Sequence, residues 1–163
     1  MSTRLKVDSW WGFEMMYELT TAELWPRQSP LGVYEAVRQA LLTTDLGIWR
    51  KLSVLLIRPK APPPEIPDLR LGIIWADPYG FSIMWFRKGG EAIRDQREMV
   101  SVGDASRLDE FIDHPVEDAV CVGSCVSGEI AARVLEDFAR NPTVLSGAVQ
   151  WRPSSTLNYP LEG

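Results

Sequence analysis

With 163 residues, 45% of them apolar and 24% charged, the chain is long enough to close one core and too apolar to be disordered or fibrous. Its 22 acidic residues against 17 basic ones give a net charge of −5, which argues against nucleic acid as a direct ligand, because phosphate binding depends on Lys and Arg. No apolar run approaches the length of a membrane-spanning helix, and Met1-Ser2-Thr3-Arg4-Leu5-Lys6 leads into Val7-Asp8-Ser9 rather than a secretory signal, so a cytoplasmic protein is expected.

In chain order, residues 1–9 read as a frayed start with a short strand at Arg4–Val7, and Trp10-Trp11-Gly12 as a turn. Phe13, Met15, Tyr17 and Leu19 alternate with Glu14 and Glu18, the period of a strand with one wet face. Ser29-Pro30 is a helix start, Val33, Val37 and Ala40-Leu41 recur at helical spacing, and Gly47 supplies a stop, which predicts a helix over 31–44. Leu52–Ile57 is an apolar run suited to a buried strand. Lys60–Pro67 (KAPPPEIP) cannot pair centrally in a sheet, so 59–67 reads as a Pro-rich surface crossover.

Leu71–Phe86 (LGIIWADPYGFSIMWF) organises the rest. Two apolar runs rich in β-branched and aromatic residues flank Asp77-Pro78-Tyr79-Gly80, the composition of a tight turn. Both faces are apolar, which predicts a central hairpin with one face under a helix and the other largely covered. Met99–Val102 follows as a third strand of the meander. Asp104 is expected to cap a short helix carrying Leu108, Phe111 and Ile112, ended by Pro115. Ala119–Val122 reads as a strand, and Ser127 opens a second long helix striped by Ile130, Val134, Leu135 and Phe138. Ala148–Trp151 is a last strand stopped by Pro153, and 154–163 a poorly ordered tail. The sum is a single α+β domain, 1–163, with a mainly antiparallel sheet of five to six strands and helices packed mainly on one face.

Few side chains carry a chemical signature. One His and two Cys make no metal set, and no cofactor is expected. Cys121 and Cys125 read as reduced, small residues at a strand end. Val120–Val134 (VCVGSCVSGEIAARV) has the strand–turn–helix layout of a phosphate cradle, but Glu129-Ile130 stand where Lys and Ser or Thr are required. Ser124 lacks the flanking glycines of a nucleophile elbow, and His114, before a proline in a charged stretch, reads as a surface residue. No catalytic residue is therefore assigned.

The acidic segment says more. Asp104, Asp109, Glu110, Asp113, Glu117 and Asp118 stand against a single Arg107, a local balance equal to the net charge of the whole chain. On a helix, Asp109 and Asp113 would repel at i,i+4, which stability alone does not favour. The ordinary reading is a solvated face with capping carboxylates; the functional one is a docking patch for a basic protein surface. Of the seven tryptophans, Trp75 and Trp85 are expected to face the core, whereas among Trp10, Trp11, Trp25 and Trp49, near strand ends and loops, some are expected partly exposed.

The helix Ser127–Phe138, leading through Asn141-Pro142 into Val149-Gln150-Trp151, together with the Tyr79-Gly80-Phe81 hairpin, resembles a family of small bacterial immunity proteins from polymorphic-toxin and contact-dependent competition systems. The resemblance implies a non-enzymatic protein that binds one cognate toxin, often a nuclease or deaminase, and blocks its active site. No individual binding residue carries over, so the six carboxylates stand as the partner-binding expectation on charge alone. The alternative is a secretion chaperone or adaptor, a homodimer that holds an unfolded client segment.

Overall fold

The computed structural model describes residues 11–14, 30–59, 68–89 and 96–160. The expectations for Arg4–Val7, for Trp10 and Trp25, for the alternation beyond Glu14, for the Ser29 cap and for residues 60–67 of the crossover lie outside them.

The hairpin forms as its composition dictates. Strands β3 (Asp68–Ala76) and β4 (Gly80–Lys88) pair antiparallel from Asp68↔Lys88 to Ala76↔Gly80, joined by Asp77, cis-Pro78 and Tyr79. Gly80 is required there: its φ is +110°, and a Cβ would run into the Val126 carbonyl. β3 also pairs with β2 (Val54–Pro59), which pairs with β1 (Trp11–Glu14). On the other side β4 pairs with β5 (Gln96–Val102), and β5 with a final strand, Gln150–Pro153. All these pairings are antiparallel, and the hairpin is central. Trp11 and Gly12 belong to β1 rather than to a turn, and Pro153 lies inside the last strand rather than beyond it.

Period-2 geometry sends Leu69, Leu71, Ile73 and Trp75 of β3, with Phe81, Ile83 and Trp85 of β4, to one face. That face packs against α1 (Pro30–Leu42), α2 (Leu46–Leu52) and α3 (Gly128–Arg140). Val33, Tyr34, Val37, Ala40 and Leu41 form the buried stripe of α1. The single predicted helix over 31–44 ends early, and Gly47 is not its stop. Thr44 takes a positive φ of 46°, Asp45 accepts a hydrogen bond from Ile48 N at 3.3 Å, and α2 starts over, taking Leu52 from the predicted strand. This second helix delivers Trp49 to the core, so Trp49 is not one of the rings left partly exposed. Trp49 is fully buried, its indole N–H donates to the Ala40 carbonyl at 3.0 Å, and its ring meets Phe81 edge-on at 4.9 Å.

α3 is capped by Ser127, whose hydroxyl accepts from Ile130 N, and buries Val134, Leu135 and Phe138. Gly128 sits so close to the Leu41 carbonyl that a Cβ would collide with it, which brings the start of α3 onto the end of α1. Beyond α3, Trp85 donates from its indole N–H to the Pro142 carbonyl at 3.0 Å, tying the sheet to the loop.

The opposite sheet face is covered by different means. Strands β6 (Phe111–His114) and β7 (Asp118–Cys121) form a small antiparallel hairpin laid over it. This overturns the expected short helix. Asp104 does cap a turn, accepting from Ser106 N at 3.0 Å, but that turn spans only Ala105–Arg107. Phe111 and Ile112 then pair residue by residue with Cys121 and Val120, burying their two side chains on separate sides. Ile112 packs with Val54 and Ile74, whereas Phe111 packs with Leu157 and lies 5.1 Å from the Tyr159 ring. In the segment after the last strand, Ser154–Thr156 form a short turn and Leu157 is buried in one cluster with Val100.

Where β4 and β5 diverge, the short strand β8 (Cys125–Val126) takes over the end of β4, and hydroxyls close the gap. Ser101 Oγ accepts from Ile83 N at 3.0 Å and donates to the Ser124 carbonyl at 2.7 Å. Ser124 Oγ donates to the Cys121 carbonyl at 2.6 Å, so it accepts from Ser82 Oγ, 2.7 Å away. All three serines are buried. S101A leaves a backbone N–H and a carbonyl unpaired and is expected to cost roughly 2–4 kcal/mol, against about 1 kcal/mol for S82A, which loses one donor. Urea denaturation of both variants measures the order.

Candidate functional site

The six carboxylates do not act as one cluster. Asp104, Asp109 and Glu110 stand at the base of the β6–β7 hairpin, and Asp113, Glu117 and Asp118 at its tip, roughly 10 Å away along a strand rising about 3.3 Å per residue. Asp113 and Asp109 are not on a helix, so the expected i,i+4 repulsion does not arise. Two of the base group have structural partners. Ser106 holds Asp104 below the ordinary carboxylate range through its hydroxyl and its N–H. Arg107 does the same for Glu110, with Nε donating at 2.7 Å, while its guanidinium lies 5.1 Å from the Tyr79 ring. Asp109, Asp113, Glu117 and Asp118 have no cationic partner among the described residues. Asp109, Asp113 and Asp118 are exposed; Glu117 is half-buried.

His114 is buried, not a surface residue. Its Nε2 lies 3.0 Å from the Trp75 carbonyl, which can only accept, and its Nδ1 accepts from Val116 N and Glu117 N, both at 3.1 Å. These bonds select the Nε2–H tautomer and occupy both ring nitrogens. The ring pins the tip of the hairpin to the C-terminal end of β3, so the tip carboxylates ride on a supported element. Ser124, buried and donating to a carbonyl, is occupied as well. Cys121 and Cys125 are free thiols; burial raises the first and pushes the second up to about 12. Neither is a thiolate at neutral pH.

Between the hairpin tip and the sheet lies a groove of about 230 Å³ that sequence reading did not find. Leu56 of β2, Gly72 and Ile74 of β3 and Met84 of β4 make its apolar floor. Gly72 leaves the depth: a Cβ there would meet Met84 Cβ at 3.8 Å and Leu56 Cδ1 at 4.0 Å, ordinary contacts, so nothing but the missing side chain keeps the space open. At one end Arg70 lies over the Phe86 ring, 4.3 Å from its centroid, and donates from Nη2 to Asp68 Oδ2 at 3.0 Å. Its Nε sits 2.9 Å from Asp68 Oδ1 without the alignment of a hydrogen bond. Across the register from Arg70 through Phe86 comes Glu98 of β5, and Glu117 closes the rim from the hairpin. Burial raises Glu117 above its ordinary value; Asp118 and Glu98 push the same way, and only His114 opposes them. The signal for this site was a glycine in the middle of a strand otherwise packed with large residues.

Among the described residues no helix is long and apolar enough to cross a membrane, and no three His, Cys, Asp or Glu side chains converge as a metal set. Comparison of the chain with protein-family models, with curated proteins and with solved structures finds no match.

Two outcomes follow from these environments. Iodoacetamide at pH 8 is expected to alkylate the native thiols at least about tenfold more slowly than those of the urea-unfolded chain, read by mass spectrometry. For Glu117, the folded-state value lies above the unfolded one, so the folded chain holds the proton more tightly and stability falls as pH rises through that window. E117Q removes the ionised carboxylate and is expected to raise Tm at pH 7, with the gain shrinking as pH falls below 4.5. Thermal melts at pH 7 and pH 4 test the sign; an unchanged or lower Tm at pH 7 contradicts it.

Proposed function

We propose that the protein is a cytoplasmic, non-enzymatic immunity protein that neutralises a cognate toxin by docking on a basic surface around its active site. The observation that supports this reading most is the state of the β6–β7 hairpin. It presents Asp109, Asp113 and Asp118 exposed and Glu117 half-buried, none with a cationic partner among the described residues, on an element anchored by His114 and Val120. Unpaired like charges lower stability slightly, and a basic partner turns that cost into attraction. The exposed carboxylates act at long range and raise the association rate, an effect that salt screens. The groove beside the tip supplies apolar area at short range, where affinity is decided. The side chains weighed as nucleophile or base, His114, Ser124, Cys121 and Cys125, are engaged in internal hydrogen bonds or raised by burial, which also favours binding over catalysis.

The test begins with the tagged full-length chain, recovered from its native host with whatever it binds. A folded toxin of basic surface at one-to-one stoichiometry is the expected partner. Against that partner, the D109K/D113K double variant is expected to bind at least about tenfold more weakly at low salt, with a smaller difference at high salt and an unchanged circular dichroism spectrum. An unchanged dissociation constant at low salt overturns the role of the hairpin. An unfolded client segment held by a homodimer in sedimentation analysis replaces the immunity reading with that of a secretion chaperone.

A further inference from the structure

The groove over Gly72 has a chemistry of its own. Its volume of about 230 Å³ lies below the roughly 300–1,000 Å³ of pockets that enclose cofactors and drug-sized ligands, and suits a single long side chain. Its floor is apolar, while its rim carries two carboxylates, Glu98 and Glu117, from separate elements. Among the described residues that line the groove, the cation is Arg70. It is held over Phe86 and paired with Asp68, while burial, with Asp118 and Glu98 adding to it, raises Glu117. A half-buried carboxylate facing another carboxylate above an apolar floor is an arrangement that folding alone disfavours.

We infer that this groove receives one arginine side chain of the protein partner, its aliphatic stem lying on Gly72, Ile74 and Met84 and its guanidinium held between Glu98 and Glu117. Arginine fits better than lysine because its planar head is weakly hydrated and can bond two carboxylates at once, whereas an ammonium loses more solvation on entering an apolar trough. The absent side chain at position 72 gives the stem its room, and the carboxylates recognise the head, so floor and rim select the same group. The inference rests on the partner-binding reading above and specifies the contact at its centre.

The free chain allows a test without the partner. n-Butylguanidinium, which reproduces the stem and head of arginine, is titrated into the isotope-labelled full-length protein and followed by amide chemical shifts. Saturable shifts are expected at Gly72, Met84, Glu98 and Glu117 with a dissociation constant of roughly 1–10 mM, the range open to so small a ligand. 1-Pentanol, of similar length and uncharged, is expected to bind at least about threefold more weakly. Gly72→Val, which fills the floor with a residue suited to a strand, is expected to abolish the shifts. The double variant E98Q/E117Q changes only the rim and is expected to weaken butylguanidinium while leaving pentanol unaffected. Shifts absent from the groove, or equal for the charged and uncharged probes, overturn the inference. Because the titration omits the partner, its failure is distinct from failure of the charge-reversal assay. A bound probe with D109K/D113K inert retains the pocket and removes the hairpin's role; an unbound probe with an active charge effect does the reverse.

Discussion

The β3–β4 hairpin buries apolar side chains on both faces, and the described elements around it answer the need to cover them. Apolar side chains of β3 are buried to both sides, Leu69, Leu71, Ile73 and Trp75 to one and Ile74 and Ala76 to the other, so a single layer of helices cannot keep water from all of them. α1, α2 and α3 seal one face around Trp49, Phe81 and Trp75. The other face receives the β6–β7 hairpin and the segment around Leu157. Beside this cover, among the described residues, lies the groove over Gly72. Site and fold thus share one cause.

Polar groups decide how rigid this second cover is. The sheet loses regular pairing where β4 exchanges β5 for β8, and Ser101, Ser124 and Ser82 restore the missing bonds with side-chain hydroxyls. A few residues on, His114 stitches the β6–β7 tip to the Trp75 carbonyl and gathers two N–H groups of its own turn. Each is a buried polar group with its partners in place, the condition under which such groups specify a structure rather than weaken it. The carboxylates at the tip are the contrast. They sit on a frame whose internal bonds are satisfied, yet none of them has a cationic partner among the described residues, and the proposal that the hairpin is an interface rests on that contrast.

Much of this architecture could be read from residues alone. The β-branched and aromatic runs around Asp77–Gly80 gave a central hairpin, and the Ser127 cap with the Ile130, Val134, Leu135 and Phe138 stripe gave α3, because both signals lie within a few residues of one another. The segment from Leu108 to His114 was misread because Leu108, Phe111 and Ile112 match a helical spacing as well as any. Only pairing with Val120 and Cys121, brought round by the turn at 115–117, makes it a strand. α2 was missed for a similar reason: Gly47 looks like a stop, and the restart depends on Asp45 capping Ile48 N. His114 looked exposed because its neighbours are charged and its partners, the Trp75 carbonyl above all, are remote in the chain.

What the sequence by itself determined was the list of materials: an antiparallel sheet built on one hairpin, two amphipathic helices, and an excess of acid concentrated between Asp104 and Asp118. These follow from periodicity and composition, which are local. Only the tertiary structure decided which carboxylates are engaged and which have no cationic partner among the described residues, since Arg107 takes Glu110, Ser106 takes Asp104, and Glu117 is carried to a rim facing Glu98. It alone showed that Gly72 is a floor rather than a flaw in a strand, because a glycine becomes a cavity only when the elements around it stop short of filling the space.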